Sequence, residues 1–307
     1  MNTCVRAVVR GARYYKMKVF GVRNGLQGLI DNNMEEFGPR RVSGIVHKGG
    51  TILGTARSKA FRTKAGRKKA AKNIKERGID ALIIIGGDGS FRGGYELYLD
   101  FGIPFVGLPG TIDNDMYGTD FTIGFDTAVN TAIDALDKVR DTAESHHRTF
   151  FVEVMGRNCG AIALEAAVAS GAEAVLVPEV KTDLDSLAKT ISTGKDKGKK
   201  STIVVVAEGD DEGAAPEIAE KIKEKTGQNY RVCVLGHIQR GGHPSARDRV
   251  LASKLGLCAV KAVKQNKVNV FVGEVKGKCV LTPITKVIKN KKKTDIYLDK
   301  MIKILGA

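Results

Sequence analysis

Four short strings in this chain combine residue types and spacings suited to chemistry on anionic substrates. The first, Gly86-Gly87-Asp88-Gly89-Ser90, follows the apolar run Ala81–Ile85. Glycines after a buried strand let backbone N–H groups close on a phosphate, and the positive end of the next helix adds to the attraction. An aspartate in such a loop repels phosphate unless a cation lies between them, so Asp88 implies Mg2+. Read blandly, the same glycines serve a strand-to-helix turn that needs positive φ. The string is not a P-loop, because G-x-x-x-x-G-K-[ST] occurs nowhere in the sequence.

The second string, Pro109-Gly110-Thr111-Ile112-Asp113-Asn114-Asp115, ends the next apolar run, Ile103–Leu108. Two carboxylates and a hydroxyl at a strand's carboxyl end stand where open α/β sheets bind ligands. Asp113 can take a proton from a hydroxyl nucleophile, Thr111 can donate to a transferring phosphoryl oxygen, and Asp115 can help position a metal. An Asx-rich turn is the bland alternative. Met155-Gly156-Arg157 follows the run Thr149–Val154, and Gly236-His237-Ile238-Gln239-Arg240-Gly241-Gly242 follows Val232–Leu235. Arg148 and Arg231 sit just before those two runs. Single arginines and histidines are usually surface residues; recurring at strand ends, they share a reason if the substrate is anionic. Glu208, after Thr202–Ala207, can accept from sugar hydroxyls.

Strands and helices must carry these strings. The strand candidates are Lys18–Val22, Ala81–Ile85, Ile103–Leu108, Thr149–Val154, Ala174–Val177, Thr202–Ala207, Val232–Leu235 and Val268–Val272. Several are unbroken Val/Ile/Leu runs, as strands covered on both faces require. Between them lie helical patterns: Lys64–Arg77 ended by Gly78, a helix through Val129, Ile133, Leu136 and Val139 with Asp126 as its cap, and Pro216–Thr226. The alternation predicts an α/β fold of two doubly wound domains with mainly parallel central sheets. The chain nevertheless opens on a helical pattern, Asn2–Tyr14, where such a domain usually opens on a strand.

A length of 307 residues suits two domains at roughly 150 residues each. No apolar run approaches the ~20 residues of a membrane span, and the N-terminus lacks a signal-peptide core, so no membrane partner and a cytoplasmic location are expected. The net charge of +16 invites a nucleic-acid reading. It is concentrated, however: residues 57–77 carry +9, 195–200 carry +3 and 286–303 carry +5, so the remainder is nearly neutral. Such clusters suit anionic small molecules or solvated helix faces. With 6% aromatics and no Trp there are few stacking platforms, and no nucleic-acid partner is expected. Five well-separated cysteines, with no C-x-x-C pair, predict reduced thiols and neither a zinc site nor a disulfide framework.

In this order and spacing the four strings resemble the bacterial-type ATP-dependent 6-phosphofructokinases, over almost the whole chain. The resemblance implies a phosphofructokinase-like fold of two unequal domains with the site between them. The larger, ATP-binding domain would comprise 1–124 plus 239–287, and the smaller, sugar-phosphate-binding domain 125–238 plus 288–307. It implies transfer of the γ-phosphoryl of Mg-ATP to the 1-hydroxyl of fructose 6-phosphate, the committed step of glycolysis. By the same resemblance Asp113 is the general base, while Thr111 and Arg157 stabilise the transferring group. Asp88 attends Mg2+ with Asp115 nearby. Arg57 and Arg62 join Gly86, Gly87, Gly89 and Ser90 around the ATP phosphates. Met155, Gly156, Glu208, His237 and Arg240 hold the sugar phosphate, and Arg148 and Arg231 reach it from a neighbouring subunit of a homotetramer.

Arg6, Arg10, Arg140, Glu173, Lys197 and Lys199 resemble residues that bind ADP or phosphoenolpyruvate as effectors between subunits. Pro39 stands where other members carry an effector-binding Arg, with Arg40 and Arg41 beside it. A pyrophosphate-dependent branch typically carries Asp and Lys in place of Gly89 and Gly110; the glycines here point to ATP. The family opens on a strand and a GGDxxGxN turn, of which Met1-Asn2 matches only the end, and Leu26 replaces a Tyr that some members place near the nucleotide. These departures predict a misassigned start or a truncated form with an altered sheet edge and weakened ATP binding. The alternatives to a working kinase are a silent regulatory or assembly subunit and a pyrophosphate-dependent enzyme.

Overall fold

The computed structural model describes residues 1–306. From the N-terminus it contains α1 (Asn2–Tyr14), β1 (Phe20–Val22), α2 (Gly25–Ile30), β2 (Met34–Glu36), α3 (Lys64–Glu76), β3 (Leu82–Gly86), α4 (Asp88–Phe101) and β4 (Phe105–Pro109). There follow α5 (Phe125–His146), β5 (Thr149–Val154), α6 (Ala161–Ser170), β6 (Ala174–Leu176), α7 (Leu184–Asp196), β7 (Thr202–Ala207), α8 (Ala215–Thr226) and β8 (Arg231–Val234). The last elements are α9 (Ala246–Lys264), β9 (Val270–Val275), β10 (Lys278–Pro283), α10 (Ile284–Lys289) and α11 (Tyr297–Leu305). Short 3-10 turns occupy Pro39–Val42, Ala60–Arg62 and Gly236–Arg240.

The chain divides into two compact units. The first comprises Met1–Thr111, Met116–Gly124 and His243–Lys292; the second comprises Ile112–Asp115, Phe125–Gly242 and the described residues from Lys293 onward. Segments 112–115, 239–242 and 288–292 thus fall on the other side of the divisions that the family resemblance implies. Their bonds explain it: Asp113 pairs with Arg157, Gln239 with the Met155 backbone, and the Ile288 carbonyl with Arg92.

In the first unit the sheet order is β10-β9-β4-β3, parallel from β3 to β9 and antiparallel at the β9–β10 hairpin. One face packs Phe105 and Phe271 with Phe91 and Leu97 of α4 and Ile74 of α3. The other packs Val106, Leu108 and Val272 with Leu251 and Leu255 of α9. Gly107 makes room for Phe91, whose ring lies 2.9 Å from where a Cβ would stand. Helix α1 lies close on α9, where a Cβ on Gly256 would come within 2.8 Å of the Ala7 methyl. Three strands differ from the sequence expectation, β2 among them because no strand is expected over Met34–Glu36. Lys18–Val22 yields only β1, paired with β2 in a separate two-stranded sheet. Strand β10, absent from the expected set, is turned back by Lys276 and Gly277, both at positive φ (50° and 76°), the two-residue hairpin geometry that matches strand twist.

The second unit holds a wholly parallel sheet ordered β6-β7-β5-β8. Strand β7 is buried at all six positions, which is why its sequence is an unbroken apolar run. Leu187 and Ile191 of α7 and Ile218 and Ile222 of α8 cover Val204 and Val206. The Asp183 carboxylate caps α7 by accepting from the Asp185 and Ser186 N–H groups. Asp126, expected as the cap of α5, lies inside its first turn, where its charge still suits the helix dipole.

Candidate functional site

In the first unit, β3 ends in Gly86 and α4 begins at Asp88. A Cβ on Gly86 would stand 2.6 Å from the Ser90 Oγ and displace it; Gly89, in contrast, faces open space. The strand-to-helix junction therefore leaves room at the helix N-terminus, where backbone N–H groups are unsatisfied. Gly110 has an additional reason to be small: a Cβ there would lie 3.0 Å from Ile85 and 3.1 Å from the Gly86 nitrogen. Thr111 follows, its Cβ 3.8 Å from the position a Cβ on Gly87 would take. Asp88 is half-exposed and accepts from Arg92 Nε at 2.7 Å through Oδ2. Arg92 also donates to the Ile288 carbonyl, and its pKa is raised chiefly by its hydrogen bond to Asp88. The four-residue spacing from Asp88 was the available signal for this partner.

Arg57 lies in the irregular segment before the Ala60–Arg62 turn, and Arg62 ends that turn; both are exposed. Two residues outside the expected set shape this region. Arg67, within the charged cluster 57–77 that suits anionic ligands or a solvated helix face, is instead buried. It donates to the Phe61 and Arg62 carbonyls at 3.2 and 2.9 Å and pairs with Glu96 and Asp100 at 2.8 and 2.7 Å. The charged head lies inside because its Nε and Nη1 groups meet two carboxylates and two carbonyls. Asn2, also buried, donates to the Lys48 and Gly49 carbonyls and accepts from the Ile52 N–H at 2.7 Å, clasping the loop that leads toward Arg57. Arg6 and Arg10 lie on α1. Arg41 pairs with Glu35, while Pro39 opens a 3-10 turn.

In the second unit, three strand-end residues come together. Asp113 is 6% exposed, and its Oδ2 lies 3.6 Å from Arg157 Nε. The guanidinium offsets the cost of placing a carboxylate out of water. Arg157 follows β5 at φ +53°, a left-handed backbone that a non-glycine residue seldom adopts. Its N–H donates to Glu208 Oε2 at 3.3 Å, and the Glu208 N–H bonds the Val154 carbonyl. Gly156 at φ +149° and Gly209 make this approach possible: a Cβ on Gly209 would stand 2.0 Å from the Arg157 carbonyl, and one on Gly156 2.3 Å from that of Cys159. Met155 is buried, and its N–H donates to Gln239 Oε1 at 2.8 Å. Gln239 thereby ties the end of β5 to the 3-10 turn that exposes His237 and Arg240. Its buried Nε2 has no hydrogen-bond partner among the described residues. A single glutamine in the GHIQRGG string gave no separate signal for this tie. Asp115 is exposed.

Arg148 and Arg231 are not part of this cluster. They flank the amino ends of β5 and β8, in register at Phe150–Arg231, and both are exposed. The six residues of β5 put them about 20 Å from the carboxyl-end group. Of the expected effector residues, Arg140 and Glu173 pair at 3.7 Å, with Arg140 also bonding the Ser170 and Gly171 carbonyls. Glu173, Lys197 and Lys199 line a cavity of about 420 Å3 between β6, α7 and α11.

Sheets with polar residues gathered at strand carboxyl ends define the class of open α/β ligand-binding proteins. The phosphofructokinase family profile matches residues 1–263. ATP-dependent 6-phosphofructokinase 2 of Bacteroides thetaiotaomicron is 50% identical over 307 residues, covering 100% of this chain and 94% of that one. ATP-dependent 6-phosphofructokinase 1 of Thermus thermophilus is 50% identical over 306 residues, covering 100% and 95%. Among solved structures, phosphofructokinase of Saccharomyces cerevisiae aligns with a TM-score of 0.88 at 36% identity, over 94% of this chain and 43% of the longer yeast chain. A pyrophosphate-dependent phosphofructokinase from Marinobacter aquaeolei, at 23% identity and a TM-score of 0.83, shares the fold. The chain belongs to the phosphofructokinase family.

Proposed function

We propose that this chain catalyses ATP-dependent phosphorylation of fructose 6-phosphate at its 1-hydroxyl, giving fructose 1,6-bisphosphate in the committed step of glycolysis. The observation that carries this reading is the buried Asp113 facing Arg157 at the strand ends, two residues after Thr111. Asp113 accepts the proton of the attacking hydroxyl. Arg157, with its side chain 63% exposed, turns its guanidinium toward the charge spreading over the transferring phosphoryl oxygens, and Thr111 donates to the same group. Glu208, Met155, Gly156, His237 and Arg240 orient the sugar phosphate, so that the 1-hydroxyl meets Asp113.

The open space at Gly89 supports a nucleotide's phosphates at the head of α4, with Arg57 and Arg62 as their cationic partners. Mg2+ takes one or two carboxylates and fills its sphere with water and phosphate oxygens. The donor set fits that habit: Asp88 and Asp115 are carboxylates open to solvent. Asp88 and Asp115 are the carboxylates that would hold the ion, which when bound neutralises phosphate charge.

The position of Arg148 and Arg231, far along β5 from the base, supports their reaching the 6-phosphate of a neighbouring subunit's substrate in a homotetramer. Strand β8 is an edge strand that exposes Val232 and Val234, a surface suited to subunit contact. Lys197, Lys199, Glu173 and Arg140, with Arg6 and Arg10, are the groups we assign to an ADP or phosphoenolpyruvate effector. No helix among the described residues is long and apolar enough to cross a membrane, and a cytoplasmic location fits the substrates.

A coupled assay with fructose 6-phosphate, supplied in parallel with Mg-ATP and with Mg-pyrophosphate, tests the reading. Turnover with ATP at least tenfold above that with pyrophosphate is expected. Preference for pyrophosphate would overturn the argument from Gly89, and silence with both donors would mark a non-catalytic subunit.

A further inference from the structure

Cys258 and Cys279 stand 21 positions apart in the sequence and show no motif, yet the first unit folds them together. Lys254 of α9 pairs with Glu274 of β9 at 3.3 Å. Glu274 is the direct cross-strand partner of Cys279 on β10, so the two side chains share a face of the hairpin. Cys258 lies one helical turn beyond Lys254 on the same side of α9, packs on the core that includes Leu281 two residues after Cys279, and feels the Cys279 thiol in its own titration. Cys279 is exposed and Cys258 half-buried; of the other three, Cys4 and Cys159 are buried and Cys233, half-buried, lies apart on β8 of the second unit.

We propose that Cys258 and Cys279 are a closable dithiol, joined by thiol-disulfide exchange with a low-molecular-weight disulfide to link α9 covalently to the β9–β10 hairpin. The exposed Cys279 thiolate attacks one sulfur of the small disulfide, forming a mixed disulfide and displacing one small thiolate, which takes up a proton. The Cys258 thiolate then attacks the Cys279 sulfur, displacing the second small thiolate, which is protonated in turn. Two protein thiols are oxidised, one small disulfide is reduced to two thiols, and the protons lost by the cysteines end on those thiols. Burial, and after it the neighbouring Cys279, pushes the Cys258 thiol up to about 11, against an opposing pull from Lys261. Closure needs the sulfurs to approach to about 2.05 Å, and β10, at the edge of its sheet, has no outer strand among the described residues to resist.

The experiment treats the full-length wild type, C258S and C279S with oxidised glutathione, followed by alkylation, intact mass and peptide mapping. Wild type should lose two hydrogens and yield a linked Cys258–Cys279 peptide that dithiothreitol reverses, with any glutathione adduct transient. C258S should stop at a stable glutathione on Cys279, and C279S should acquire no link and no adduct at Cys258, with any adduct at the half-buried Cys233 the same in all three proteins. A wild type that stops at a stable adduct on Cys279, or whose linked peptide joins two chains or involves another cysteine, would overturn the proposal. The wild-type peptide is decisive by itself, so poor folding of a variant does not shield the idea.

Discussion

At the scale of single residues, Asp113 shows how a carboxylate is accommodated out of water by its surroundings. Its burial removes competing water, and Arg157 at 3.6 Å supplies the compensating charge. If Asp113 is the base, Asp113→Ser should lower kcat by about 10²–10⁴-fold while leaving KM for fructose 6-phosphate within a few-fold. Steady-state kinetics check this, and a loss confined to KM would contradict the role. Cys4 illustrates a titration coupled to folding. Burial in α1 pushes its thiol from an ordinary 9.0 up to about 12. Above pH 9 the unfolded chain releases this proton and the folded chain keeps it, so stability is full below pH 9 and declines as pH rises toward 12. The decline from this group should be ~1.4 kcal/mol per pH unit. Denaturant unfolding from pH 8 to 11 should therefore show a shallower alkaline loss for Cys4→Ala than for wild type.

At the scale of elements, buried polar side chains fix the loops that present functional groups. Arg67 joins the Phe61 and Arg62 carbonyls to Glu96 and Asp100 of α4. Because Glu96 is itself 52% exposed, that arm of the network is screened by solvent and worth less than the rest. Removing the guanidinium in Arg67→Ala should cost about 2–3 kcal/mol in denaturant unfolding and raise KM for ATP through displacement of Arg62. An unchanged KM would separate the network from nucleotide binding. The glycine loop and most strands were legible in the sequence because buried strands impose apolar runs and turns impose glycine. The β9–β10 hairpin was not: Lys278–Pro283 is mostly exposed, so burial wrote no pattern into it, and only Lys276-Gly277 signalled the turn. Arg67 was misread for a related reason, since its partners on α4 lie about thirty residues away and leave no local trace.

At the scale of the whole molecule, Arg148 and Arg231 lie at the amino ends of their strands while Arg157 and Glu208 lie at carboxyl ends. If the arginines serve a neighbouring subunit, two inactive variants should repair each other. Co-refolded Asp113→Ser and Arg231→Ala chains should recover activity well above either parent, because some mixed interfaces pair an intact base with an intact arginine. Size-exclusion chromatography of the mixture would establish that hybrid oligomers form. Hybrids as inactive as their parents would place Arg231 outside the shared site.

The sequence by itself determined the strand-end strings, the α/β alternation and the family, because each is written in local spacing: glycine where backbone must turn or approach, apolar runs where both sheet faces are covered. It also located most residues of the candidate site, since strand ends are local features. Tertiary structure decided which of them meet. Arg157 and Glu208 come together because the parallel strands β5 and β7 end side by side, and Asp113 joins Arg157 from a third stretch, the segment after β4. Arg148, nine residues from Arg157 in sequence, is carried to the opposite end of the sheet by β5. The partners Arg92, Gln239 and Asn2, and the meeting of Cys258 with Cys279, likewise depend on packing. Covalent neighbours fix what a segment can become, and burial with hydrogen-bond satisfaction across distant segments fixes what it touches.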